Sequence, residues 1–526
     1  MGVKQSWWVV WVAVIASACS LDVKEISPIY AVPLVKAELG VYDLLAKTDS
    51  DVVQTNPNGS ISLLYGSTTT LAVASSFVSL PDQSANHTAV YSGPTRNPFP
   101  VGQVATVNGN ATVGLGAIPF TDLYQLLLTG GLLNVDVQSA IPHRLQLVFT
   151  FPSIRVNGQA LIIQGQSAGG ASGHQIRFTS SLALADLRLD ETAQTANQLE
   201  VQYAITIESD GTNALQNGAN VQLVFGFANL QFREVVGKLA STALPNLSAK
   251  VPLSLFQFTN SSSSSQVFQF SDPKIRFAFE QSMVVPVDVR FNALRFVQKD
   301  AQSSEDLVVQ SLPNPLSIAY PLSPDLMAQT GFTIDRNNSN IKSLLTPEDK
   351  EFEWDITPTV GGEGIHRLRN DSRLSLYTAL ELPLTGYGEQ WILEDTTEIS
   401  FGELEGEVFE EGSFRFNARS SFPIDVKLQV YFLSETNQRL DSLFDGNKYL
   451  IRSGPLNAEG RVDPVPNSQF DVGADKNKIN NISQATKVVV KAELQTKDAS
   501  ERQEVKLFAD CFVKLEVGLK VKIKVP

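Results

Sequence analysis

Residues 165–172 read GQSAGGAS, the one string in the 526-residue chain whose residue types and spacing could do covalent chemistry. A serine between small residues and glycines, set on a sharp strand-to-helix turn, exposes its hydroxyl above a helix N-terminus. Ser167 would then be a nucleophile in need of an imidazole and an acid. The chain has four histidines, His87, His143, His174 and His366. In the order serine, acid, histidine, His174 follows Ser167 too closely to admit an acid from another strand. Only His366, in GGEGIHRLRND, is left for the role.

The elements around Ser167 do not supply that geometry. Upstream, QALIIQ reads as a strand, but downstream Gly169, Gly170 and Gly173 stand where the first helical turns should be. Each costs a helix about 1 kcal/mol relative to alanine. The pairs Ile176/Phe178, Leu182/Leu184 and Leu187/Leu189 then alternate as strands do. Over eight residues the string resembles the nucleophile elbow of carboxylesterases of the α/β-hydrolase fold. The chain nevertheless has no His-Gly-Gly oxyanion string, and it lacks the β-α alternation that fold needs. The spacing therefore predicts a flexible glycine turn between strands and no catalytic residue, with a Ser167 esterase kept as the remotest alternative.

Other chemistry is thinner. There is no His-Glu-x-x-His and no paired-cysteine string, so neither a zinc site nor a cofactor is expected. The segment Glu389 to Glu411 holds nine acidic residues and no basic one. Without an Asp-x-Asp-x-Asp-Gly loop to organise them, they read as a solvated face and not as a calcium site. Trp354 and Trp391 are the only tryptophans beyond the leader, a poor platform for sugar rings.

The start of the chain is more informative. MGVKQSWWVVWVAVIASAC places Lys4 before an apolar run from Trp7 to Ala16, too short for a stable bilayer span and right for a secretory signal over residues 1–18. ASAC resembles a bacterial lipobox, which implies lipidation of Cys19 and, from Ser20, passage to the outer membrane. Ala16 stands where leucine is usual, and Ala16 with Ala18 also satisfies ordinary signal cleavage. In that case Cys19 and Cys511, the two cysteines of the chain, could form a disulfide; with lipid on Cys19, Cys511 is a lone packed thiol. An uncleaved anchor is a further alternative. Net charge is −14, and an acidic chain repels phosphate backbones, so nucleic acid is not expected as a partner.

Three stretches repeat one pattern: VDVQSAIPHRLQLVFTF from Val135, FAFEQSMVVPVDVRFNALRF from Phe277 and FRFNARSSFPIDVKLQVYF from Phe414. Each is an alternating segment, a serine, two or three residues, a proline, and a second alternating segment. The prolines are Pro142, Pro286 and Pro423. Period-two burial marks strands, and proline belongs at a strand start or bulge, so the unit reads as strand, kink, strand. Helical signals are short: LGVYDLLAKTD from Leu39, FTDLYQLLLTG from Phe120 and NSNIKSLL from Asn338. Ser261 to Ser265 reads as an exposed loop, and FVKLEVGLKVKIKV at the end as one strand of roughly 46 Å. The fold class is mainly β: multiple β-sandwich-like modules in an elongated arrangement with few short helices. Trp354 and Trp391 as the only tryptophans beyond the leader, with interrupting helices, argue against a transmembrane barrel. The division is a lipid-anchored segment 19–60 and β-rich modules at 61–235, 236–375 and 376–526.

The segments SPIYAVPLVKAELGVYDLLAK, FTFPSIRVNGQAL, FSDPKIRFAFEQS, LPLTGYGEQWILEDT and SSFPIDVKLQVYFLSETNQRLDSLF, together with the lipobox, resemble a family of uncharacterised β-rich lipoproteins from Bacteroidota. The resemblance implies architecture and an envelope location and transfers no catalytic residue. The expectation is a non-enzymatic envelope lipoprotein, anchored at the outer membrane on its periplasmic or cell-surface side and binding an envelope protein or glycan. The alternative is a carrier of lipid or another apolar ligand in an elongated β groove.

Overall fold

A computed structural model describes residues 29–45, 50–116, 118–170, 173–189, 197–253, 267–298, 303–345, 350–389, 391–399, 409–446 and 448–523.

 The leader, Cys19 and the serine run Ser261 to Ser265 lie outside the described residues. Among the described residues most of the chain is antiparallel strand, gathered into six sheets of three to ten strands. The mainly β expectation holds. Four α-helices accompany the strands, and the longest is only Lys476–Ser483, capped by Asp475 accepting from the Lys478 N–H.

The three proline kinks set the architecture. Pro142 lies between strands Phe120–Ser139 and Arg144–Val156. Pro286 lies between Lys274–Gln281 and Val287–Gln298, and Pro423 between Phe409–Ser420 and Ile424–Leu433. In no case do the two strands pair with each other. At Pro286 the chain leaves a five-stranded sheet for a six-stranded one, and at Pro423 a four-stranded sheet for a five-stranded one. The unit is an arch between layers, not a hairpin. Proline suits it because its missing N–H ends the ladder on the first sheet, and it biases the preceding residue to extended backbone. That preceding residue is apolar and buried each time: Ile141, Val285 and Phe422. The kink serine is also employed: Ser139 Oγ accepts from the Ile141 N–H at 3.2 Å and Ser420 Oγ from the Phe422 N–H at 3.1 Å, while Ser282 Oγ accepts from the Arg373 N–H at 3.1 Å.

Aromatic rings fill the space between the layers each arch joins. Phe277 on one sheet meets Phe291 and Phe352 on the next, edge to face, with centroids 5.6 and 6.2 Å apart. Across the third arch Phe416 lies 5.6 Å from Phe444, and it stacks at 5.2 Å on Phe470, its ladder partner in its own sheet. The ten-stranded sheet curls on itself, so that Phe149 touches both Phe178 and Phe225 although their strands do not pair with its own. The buried apolar residues form two clusters, one running from Val41 to Cys511 and a second within residues 416–485.

Three expectations need correction. FTDLYQLLLTG is not a helix but the first half of the 20-residue strand Phe120–Ser139. Its partner Asn220–Leu239 shifts register opposite Thr121 and Tyr124. Those bulges space the buried Phe120, Leu123 and Leu126 three residues apart, which imitates a helical period. The boundaries at 235 and 375 fall inside strands Asn220–Leu239 and Arg373–Pro383, which pair with His366–Arg369 and Ile61–Val73, partners far away in the chain that a repeat spacing does not reveal. Helices Ala74–Phe77 and Lys476–Ser483 had no sequence expectation. The closing strand is Phe512–Ile523, held between Ile29–Gly40 and Phe409–Ser420, so the first and last described strands are neighbours.

Candidate functional site

Ser167 is the last residue of strand Gln159–Ser167, and His174 the first of strand His174–Ser181. Ladder pairing fixes both ends of the intervening loop: Ser167 lies opposite Leu145 and His174 opposite Ser139. A strand therefore follows Ser167 where an elbow would need a helix, as the glycines and the alternation indicate. Two of the three glycines are required for close approach. A Cβ on Gly169 would come within 2.0 Å of the Pro142 carbonyl oxygen. One on Gly173, whose φ is +70°, would come within 2.2 Å of the Ser139 carbonyl oxygen. Gly169 and Gly173 thus press against the first proline arch.

The bonding is specific. His174 is only 3% exposed. Its Nε2 lies 2.8 Å from the carbonyl oxygen of His143, which has no proton to give, so Nε2 carries the hydrogen and donates it. Nδ1 is then the acceptor, and Ser167 Oγ donates to it at 2.7 Å. The histidine excluded on sequence spacing is therefore the one that Ser167 meets. The missed signal was positional: residues at the two ends of a short loop between strands come together at its base. Behind His174 stands a neutral carbonyl, which orients the ring but stabilises an imidazolium less than a carboxylate would.

The carboxylate of the cluster, Asp210, faces a different ring. Its Oδ1 lies 3.2 Å from Nδ1 of His143, which is fully buried and edge-on to Phe99 at 5.1 Å. Asp210 accepts from the backbone N–H of Asn213, the Asn213 side-chain amide and the N–H of Thr212. Those donors, with the nearby His143, hold its carboxyl well below the usual carboxylate range. Among the described residues His143 Nε2 has no hydrogen-bond partner.

The other sequence candidates lie elsewhere. His366 pairs with Gly237, while Val221 of the same strand pairs with Ser139 beside His174. Sixteen residues of strand separate the two ends, roughly 50 Å, so His366 cannot serve Ser167. Its Nε2 instead donates to the Gly362 carbonyl at 3.2 Å. His87 contacts the Tyr203 hydroxyl at 3.0 Å. Cys511 is buried and has no disulfide partner among the described residues, which do not include Cys19; burial pushes the ionisation of its thiol up. Of the acidic segment, Trp391–Glu398 forms a strand against Lys487–Thr496, while residues 390 and 400–408 lie outside the described residues.

No family model and no curated protein matches the chain. Among solved structures, a chain from Parabacteroides distasonis described as a secreted protein overlaps 94% of this chain and 99% of its own length, at 8% identity and a TM-score of 0.27. The Gx strain of infectious bursal disease virus gives 93% and 86% coverage at 9% identity and a TM-score of 0.15. Likenesses this slight carry no argument about function.

Proposed function

We propose that this chain is a non-enzymatic protein of the cell envelope, anchored at the outer membrane by lipid on Cys19 and presenting β-sheet faces or loops to an envelope protein or glycan. One observation carries the non-enzymatic part: the Ser167–His174 pair closes the base of a loop between two strands, with a backbone carbonyl in the place of the acid. The phenylalanines that occupy the space between layers support a binding role over that of a lipid carrier. The anchor rests on the leader and the cysteine at its end. Protease shaving of intact cells, with mass analysis of the first mature peptide, tests location and anchor together. A diacylglyceryl-modified peptide beginning at Cys19 is expected, and an unmodified N-terminus released to the medium would refute the anchor.

A second reading is favoured by the 2.7 Å bond from Ser167 to His174, since a serine donating to an oriented imidazole is the start of a hydrolytic dyad. A fluorophosphonate probe separates the two readings. Labelling of the parent chain that disappears in Ser167→Ala would establish the dyad, while equal background in both supports the non-enzymatic reading.

A further inference from the structure

A cavity of about 220 Å³ lies beside the third proline arch, between Pro423, the loop carrying Arg461 and Val462, and the turn Phe508 to Phe512 that leads into the closing strand. Its charge is unbalanced in one direction. Arg461 Nη1 donates to both oxygens of Asp510, at 2.7 and 2.9 Å, and its guanidinium lies over the Phe508 ring 4.0 Å from the centroid. Arg461 is therefore neutralised and held in place as part of the wall. Lys506 also lines the cavity, is exposed, and makes no ion pair among the described residues. The Cys511 thiol in the same wall is kept protonated by burial and adds no negative charge. The lining thus carries one uncompensated positive charge within a chain whose net charge is −14.

The remaining walls are apolar, with Phe508, Phe512 and Val462 facing the space. A volume below the roughly 300–1,000 Å³ of sites for drug-sized ligands suits a fragment-sized occupant. From the single free ammonium, the ring-lined walls and the small volume, we infer that this cavity binds a small organic monoanion: a carboxylate on Lys506 with a short apolar body against Phe508 and Phe512. The ligand's apolar body shields the partly exposed Phe512 ring, while the charge stays with the exposed Lys506, where desolvation is least. An inorganic anion would use the ammonium and forgo the walls. An apolar cation would be opposed by Lys506.

Ligand-observed saturation-transfer NMR on the full chain tests this with benzoate, acetate and benzylamine as probes. Benzoate is expected to bind, acetate at least tenfold more weakly, and benzylamine not at all. Lys506→Gln, an exposed position that leaves the fold intact, should weaken benzoate about tenfold or more, the worth of a charge-assisted hydrogen bond. Absence of benzoate binding, equal binding of benzylamine, or unchanged affinity in Lys506→Gln would each overturn the inference.

Discussion

Replacing Ser167 with alanine removes the hydroxyl that donates to His174 and leaves the rest of the residue in its ladder position opposite Leu145. No cavity larger than one oxygen is created, so the cost is almost wholly that of an acceptor left without a partner. The acceptor is Nδ1 of a ring that is 3% exposed, and such a loss costs about 1–3 kcal/mol. Because the chain has more than one core cluster, a global melting temperature would blur this local effect. Native-state hydrogen exchange on peptides covering residues 145–181 reads it directly. At 1.4 kcal/mol per factor of ten, local opening should rise roughly 5- to 150-fold in Ser167→Ala. Ser167→Thr, which restores the hydroxyl and suits a strand, should recover most of the protection. Protection unchanged within about twofold, or a threonine variant no better than alanine, would refute a structural role for the Ser167–His174 bond.

Other outcomes follow from the same geometry. Gly173→Ala forces a Cβ onto the Ser139 carbonyl at a φ of +70° and should destabilise this region by more than 1 kcal/mol in urea unfolding; Gly170→Ala, where a Cβ meets nothing within 4 Å, should be neutral or stabilising by about 0.4–1 kcal/mol. Phe277→Ala empties a site packed by Phe291, Phe332 and Phe352 and should cost about 3–5 kcal/mol by the same measurement. Asp210 ionises more readily folded than unfolded, so its stabilisation is complete above the unfolded carboxylate pKa of about 3.9 and is lost as pH falls toward its lower folded value. Melting temperatures between about pH 2 and 7 should therefore fall less steeply on the acid side in Asp210→Asn than in the parent.

The amino-acid sequence by itself determined the strand content and the three arches. Alternation at Ile424, Leu428 and Phe432, and prolines at 142, 286 and 423, are local signals, since pleat and ring chemistry act over a few residues. Local rules also showed that no helix follows Ser167. Where bulges intervened they misled, as at Phe120 to Leu128, because register shifts are imposed by the partner strand and leave no mark in one strand's own pattern. Only the tertiary structure decided that the arches at Pro286 and Pro423 change sheets while the one at Pro142 stays within one, that Ser167 meets His174 while Asp210 faces His143, and that Arg461 is neutralised beside a Lys506 that is not. Those facts depend on residues distant in the chain arriving within about 3 Å of one another, and a hydrogen bond's steep dependence on distance and angle makes such meetings a property of packing that no spacing rule contains.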